Sequence, residues 1–206
     1  MYIAIEGIKG IGKSTLMDKL QNHLQYQHLA FTVACPTRPL KDGSVAEWCY
    51  NNFPCLFASD TAKELLYAHR SNVVAKQTDW NLPLIIGDRS IVTSYATRLW
   101  KYGSPIKQIQ RVDALEPLMP APDAVIYLKA DITCVLSRIR KRVARYYGKE
   151  DERPEKLVQD TKAYEYIMQE NPAQRLTKTN WVVVDASQKP EQVFENTIQI
   201  INELTK

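Results

Sequence analysis

A chain of 206 residues has room for one α/β domain with a substantial core and little room for a second. Its 45% apolar and 24% charged residues match a soluble globular protein, which excludes disorder except in local segments. The formal charge of +4 comes from local basic clusters rather than a tail, so a general nucleic-acid coat is not indicated, and no apolar run is long enough to span a bilayer.

The chain opens with Tyr2–Glu6, which reads as a strand: no basic region precedes it and no cleavage site follows, so the expected compartment is the cytoplasm. Gly7-Ile8-Lys9-Gly10-Ile11-Gly12-Lys13-Ser14 comes next. Leu16, Leu20 and Leu24 then recur at helical spacing. Leu29–Cys35 is a second strand, and Ser59-Asp60 caps a helical segment carrying Leu65, Leu66, Val73 and Val74. Pro83–Gly87, Ala124–Leu128 and Trp181–Val184 are the remaining strands. After Pro190, Val193, Phe194, Ile198, Ile201 and Leu204 mark a closing amphipathic helix. The strands are short, rich in Ile and Val and not strictly alternating, as in a parallel sheet covered on both faces. Strands alternating with helices predict an α/β fold: a doubly wound five-stranded parallel sheet with helices on both faces and ligands at the carboxyl ends of the strands. Cys35, Cys49, Cys55 and Cys134 and the three histidines show no metal-ligand spacing.

The glycine loop matches Gly-x-x-x-x-Gly-Lys-Ser in full, between a strand and a helix. Its glycines let backbone amides turn around phosphate oxygens, and the following helix adds its positive end. Gly7, Gly10, Ile11, Gly12, Lys13, Ser14 and Thr15 are therefore expected to hold the phosphates of ATP. Lys13 would place its charge at the β- and γ-phosphates, and Ser14 would ligate Mg²⁺.

Such a loop also occurs in GTPases, motors and binding modules, so the other strand ends matter. Asp88, Asp131 and Asp185 each stand near one, as a metal-associated carboxylate or as a polar strand terminator. Asp88 is followed by Arg89, which puts a carboxylate and a guanidinium together: a surface ion pair, or a metal-orienting acid beside a grip for a second phosphate. Further on, Arg138, Arg142 and Arg145 share one helix face, and Gly148 to Pro154 breaks that helix with a charged stretch. This could be a solvated basic helix, a nucleic-acid patch poor in aromatics, or a lid that neutralises phosphoryl charge; the lid agrees best with the glycine loop.

These residues resemble the thymidylate kinases, of the nucleoside monophosphate kinase group. Pro36-Thr37-Arg38-Pro39, Glu64 to Arg70, Asp88-Arg89-Ser90, Pro122 to Leu128 and Val184 to Ser187 match that family's motifs in order through nearly the whole chain. The resemblance implies a single P-loop kinase domain over 1–206, with a lid at about 138–155, that phosphorylates a nucleoside monophosphate. It implies that Arg38 and Arg89 hold the acceptor phosphate, that Arg70 faces the acceptor base, and that Asp88 sits by Mg²⁺. Arg138 and Arg142 would serve ATP, with Arg138 against the adenine. Glu152-Arg153-Pro154-Glu155 would match the lid's Asp-Arg-x-Glu, with Arg153 catalytic. Gly10 stands where some members carry a catalytic arginine, in agreement with a lid that supplies one. A homodimer is also implied.

Three positions depart from the family pattern, all toward the acceptor. Lys9 replaces an acidic residue that accepts a bond from the acceptor sugar. Leu66 replaces an aromatic that stacks on the base, with Tyr67 adjacent, and Arg98 stands near a position that often carries Gln or Thr. The expected acceptor is dTMP or a related pyrimidine deoxynucleotide. A deoxyribonucleoside kinase is the alternative, although it would need a carboxylate after the second strand, and Pro36–Leu40 holds none. A non-enzymatic P-loop module is the second. No membrane and no specific nucleic acid are expected as partners.

Overall fold

The computed structural model describes residues 1–40, 44–101, 103–141 and 152–206, apart from the side chain of Phe57. The expected lid residues Arg142, Arg145 and 148–151 lie outside the described residues. The chain runs β1 (Tyr2–Glu6), α1 (Lys13–Tyr26), β2 (Phe31–Ala34), α2 (Val45–Asn52), α3 (Asp60–Gln77), β3 (Leu84–Asp88), α4 (Ile91–Arg98) and α5 (Pro105–Leu115). It continues through β4 (Ala124–Lys129), α6 (Ile132–Arg140), α7 (Pro154–Glu170), β5 (Asn180–Asp185) and α8 (Pro190–Leu204).

The five strands pair in parallel in the order β2-β3-β1-β4-β5. Every residue of β1 and β3 is buried, which is why these strands read as continuous apolar runs without alternation. The chain fills one side of β1 with β2 and β3 and then crosses to the other with β4 and β5. The carboxyl end of β1 therefore lies where the strand order reverses, the place where open α/β sheets bind ligands. Ile5 is in register with Asp88, so the glycine loop leaves the sheet directly beside the Asp88-Arg89 pair.

Boundaries shift where a cap competes with a strand. Leu29 does not begin β2. His28 takes a left-handed φ of 54°, its amide bonds Gln25 O at 3.0 Å, and the Leu29 amide bonds Leu24 O at 3.2 Å, closing α1 with a Schellman turn. Ser59 does cap α3, accepting the Ala62 amide at 3.1 Å. Helix α4 carries an apolar stripe at Ile91, Val92, Tyr95 and Ala96, and Thr93, Ser94 and Arg98 on its polar face are buried as well.

Several buried charged groups on the helices stand in ion pairs. Arg70 of α3 donates from Nε to Glu47 Oε1 at 2.5 Å and from Nη2 to Oε2 at 2.8 Å, clamping α2 onto α3. Arg98 of α4 donates to Glu116 at 2.9 Å and to the Glu64 carbonyl at 3.2 Å, and Arg111 of α5 reaches the Glu64 carboxylate at 2.8 Å. Among the described residues, no helix is long and apolar enough to cross a membrane.

The Glu47–Arg70 clamp has a testable cost. Glu47→Gln leaves a buried guanidinium without its counter-ion, which should destabilise the fold by about 3 kcal/mol and lower Tm by about 6–12 °C. The hydrogen bonds from Arg70 hold the Glu47 carboxyl below the usual glutamate range. That stabilisation is complete above the unfolded value of about 4.3 and is lost as pH falls through the lower folded value, so the Tm gap between wild type and variant should close on acidification.

Candidate active site at the carboxyl end of the sheet

The glycine loop has the backbone its motif demands. Gly10 and Gly12 have φ of 89° and 108°, in the region that favours glycine. A Cβ on Gly10 would stand 2.7 Å from Ile139 and 2.9 Å from Val135, so α6 packs directly on the loop and leaves no space for a side chain there. A Cβ on Gly12 would meet only Arg138 Nη1, at 3.9 Å. Gly12 caps α1 without any side-chain bond, and Ser14 and Thr15 are exposed on the first turn. Open amides, a helix N-terminus and a lysine converge there, which suits the phosphate groups of a nucleotide.

Lys13 donates to Asp88 Oδ1, and Arg38 Nη2 donates to Asp88 Oδ2 at 2.5 Å. A single carboxylate thus joins the loop lysine to the arginine after β2. The Lys13 and Asp88 side chains are 10% and 5% exposed, whereas that of Arg38 is 56% exposed and accessible to a ligand. Burial alone would push the Asp88 carboxyl up, but Lys13, Arg38 and Arg89 outweigh it and hold it below the usual aspartate range. Burial and the charge of Arg89 pull the Lys13 ammonium down, against the opposing pull of Asp88.

Arg89 has a φ of 75°, an uncommon conformation for a residue with a Cβ and one that costs about 1 kcal/mol or more. Its Nη1 donates to the Gly7 carbonyl at 3.2 Å, Thr93 Oγ1 at 3.2 Å and the Tyr164 hydroxyl at 3.3 Å. Behind it lies Glu6, fully buried at the end of β1. Glu6, Thr93 and Tyr164 are absent from the residues nominated by the sequence. Glu6 did leave a signal, an acidic residue closing an otherwise apolar strand just ahead of the glycine loop; Tyr164 left none.

Arg138 donates to the Ile11 carbonyl at 3.0 Å and to the Ser187 and Gln188 carbonyls at 3.3 Å each, bridging the glycine loop to the turn after β5. Lys9 pairs with Glu152 at 3.6 Å, which brings the segment before α7 onto the loop. Arg153 is exposed at the N-cap of α7 and lines a surface cavity of about 890 Å³ with Trp100, Lys156 and Lys162. Among the described residues it makes no hydrogen bond to the glycine loop.

The base-side residues sit apart. Leu66 is buried, Tyr67 is half exposed, and its ring lies 5.2 Å from the Arg70 guanidinium. Arg70 and Arg98 lie in the buried ion pairs described above. Of the strand-end aspartates, Asp131 caps α6 through the Thr133 amide at 2.7 Å, and Asp185 accepts the Ser187 amide at 2.9 Å in a tight turn. Among these three, Asp88 alone faces the loop lysine.

The family model described as thymidylate kinase matches residues 5–197. The thymidylate kinase of Acinetobacter baumannii (strain AYE) is 26% identical over 98% of this chain and 100% of its own length. That of Acinetobacter baylyi is 27% identical over 99% and 100%, and that of Bacillus velezensis 26% identical over 100% and 97%. Among solved structures, a deoxyadenosine kinase from M. mycoides with products dCMP and dCDP bound superposes with a TM-score of 0.68. It is 20% identical and covers 99% of this chain and 100% of its own. The same enzyme with dATP bound gives 0.63 at 22% identity over 98% and 100%. At these identities the structures show a shared fold, that of P-loop kinases.

The packing of α6 on the loop makes Gly10 intolerant of substitution. Gly10→Ala combines a strained φ with a clash, and thermal unfolding should show a loss of about 2–4 kcal/mol. Nucleotide titration should show weakened ATP binding in the fraction that folds.

Proposed function

This chain belongs to the thymidylate kinase family, and we propose that it transfers the γ-phosphoryl group of Mg-ATP to dTMP or a related pyrimidine deoxynucleoside monophosphate. The observation that carries this reading is the Asp88 carboxylate, with Lys13 on one oxygen and Arg38 on the other. One side of that carboxylate belongs to the donor phosphates and the other to an acceptor that is itself charged.

In this reading residues 1–206 form one kinase domain with a lid at about 138–155. The glycine-loop amides and Lys13 bind the β- and γ-phosphates, and Arg138 fixes the edge of the adenine pocket by bridging Ile11 to Ser187 and Gln188. Arg38 and Arg89 grip the acceptor phosphate and hold the attacking oxygen in line, where catalysis is mostly positioning and charge neutralisation. Asp88, held below the usual aspartate range, accepts hydrogen bonds and does not act as a proton donor at neutral pH. The Ser14 hydroxyl and Asp88 would hold Mg²⁺, which when bound neutralises charge on the β- and γ-oxygens. Arg153 closes over the transferring group and excludes water. Lys9, paired with Glu152, and Arg98, paired with Glu116, leave the acceptor's sugar and base to be read by other groups, which supports a pyrimidine deoxynucleotide rather than dTMP alone. A homodimer is the assembly we expect, checked by sedimentation.

A deoxyribonucleoside kinase is the second reading, favoured by Asp88-Arg89-Ser90 and by the M. mycoides neighbours. Arg38 opposes it, because a cation stands where that chemistry needs a carboxylate base.

A coupled assay over nucleoside monophosphates and nucleosides should give turnover with dTMP or another pyrimidine monophosphate; turnover of thymidine alone would sink this proposal. With the productive acceptor, Lys13→Ala should lower kcat by about 100-fold or more. Arg38→Ala should raise the acceptor KM about tenfold and leave the ATP KM near wild type. Arg153→Ala should lower kcat about 100-fold with little change in ATP affinity. An unchanged kcat in that variant would remove Arg153 from the lid's catalytic role.

A further inference from the structure

Glu6 is fully buried, and its carboxylate is saturated from one side. Oε1 accepts the Ser90 amide and the Ser90 hydroxyl, each at 2.7 Å; Oε2 accepts the Thr93 hydroxyl at 2.6 Å and the Tyr164 hydroxyl at 2.9 Å. The Ser90 oxygen also accepts the Val92 amide at 3.1 Å and so caps α4. The Thr93 and Tyr164 oxygens are the groups that receive Arg89 Nη1. Each hydroxyl has a single proton. The two hydroxyl oxygens also lie 2.9 Å from each other; with both protons turned toward the charged Glu6 carboxylate, the stronger acceptor, both oxygens present lone pairs to Arg89. Among the described residues Glu6 makes no hydrogen bond to Arg89, yet it draws away the protons of the two hydroxyls that accept from it.

We propose that Glu6, acting through the Thr93 and Tyr164 hydroxyls, is a positioning residue that sets the direction of the Arg89 guanidinium. Arg89 sits at a φ of 75°, so its backbone is already strained and a fixed side chain needs outside support. The bonds to Gly7, Thr93 and Tyr164 all use Nη1; among the described residues Nε and Nη2 make none, which leaves them for a phosphate. Tyr164 belongs to α7, the helix that begins at Arg153, and its ring stacks on Tyr127 of β4 with centroids 5.3 Å apart. The relay thus joins β1, α4 and α7 to one guanidinium. Its kinetic consequence rests on the reading that Arg89 holds the acceptor phosphate; its structural consequence does not.

Two variants separate positioning from packing. Glu6→Gln keeps the shape but replaces one acceptor oxygen with an amide donor, which competes with Arg89 for the Thr93 and Tyr164 lone pairs and leaves their protons without the carboxylate. Tyr164→Phe keeps the ring and removes one acceptor. Steady-state kinetics with the productive monophosphate should show Glu6→Gln raising the acceptor KM or lowering kcat by about tenfold or more, as for losing a hydrogen bond to a charged group. The ATP KM should stay within about twofold. Tyr164→Phe should shift the same parameters by a smaller factor, and in an Arg89→Lys background Glu6→Gln should add little. Equal effects on both substrates, or additivity with Arg89→Lys, would reduce Glu6 to a packing role and overturn the proposal. A readout independent of activity is the guanidinium ¹⁵N spectrum of the whole chain, with Arg89 assigned through Arg89→Lys. Wild type should show separate, slowly rotating Nη signals that merge in Glu6→Gln while the amide spectrum stays folded. Nη signals still separate in that variant would also overturn it. Should no monophosphate be turned over, the functional reading fails and the guanidinium spectrum still decides this one.

Discussion

Lys13, Arg38 and Arg89 crowd the carboxyl ends of β1 and β3, and like charges at such range in a half-buried edge repel strongly unless an anion lies between them. Asp88 is that anion. Its position follows from the sheet, since the register that sets Ile5 opposite Asp88 is the one that lets the glycine loop depart beside it. The same carboxylate holds Lys13 on one oxygen and Arg38 on the other.

The loop is also held from above. Ile139 and Val135 of α6 press on Gly10, and Arg138 of the same helix takes the Ile11 carbonyl. Helix α6 is thus in contact with the glycine loop, and the segment before α7 touches it again through Glu152 and Lys9. Both meet the loop through short, specific contacts rather than through the bulk of the fold.

Arginine illustrates how burial redirects a side chain. Arg70 and Arg98 read from the sequence as acceptor-facing groups, and both stand in buried pairs with Glu47 and Glu116. A guanidinium withdrawn from water takes the nearest carboxylate, because an unpaired buried charge costs several kcal/mol, of order 3–5. Arg38, which is largely exposed, is under no such demand and keeps part of its surface for a ligand. Fewer cations are consequently accessible on this chain than its arginine content suggests.

What could be read from the sequence were the features with local causes. The five strands are legible because buried parallel strands need continuous apolar runs, and the phosphate loop because only glycines tolerate its backbone. The Ser59 cap and the Leu16-Leu20-Leu24 stripe follow the same logic. Burial of the polar face of α4 is not legible, since Thr93 and Arg98 find Glu6 and Glu116 on other elements, and β2 starts later than its apolar run because the cap of α1 takes up Leu29. The adjacent Arg89 sets Asp88 apart in the sequence, but only the tertiary structure shows that Asp131 and Asp185 spend their carboxylates on a cap and a turn. It alone joined Glu6 to Tyr164, 158 positions apart. Sequence dictates what a residue needs, a partner for a charge or a face for an apolar group; which partner answers is decided only when distant segments meet.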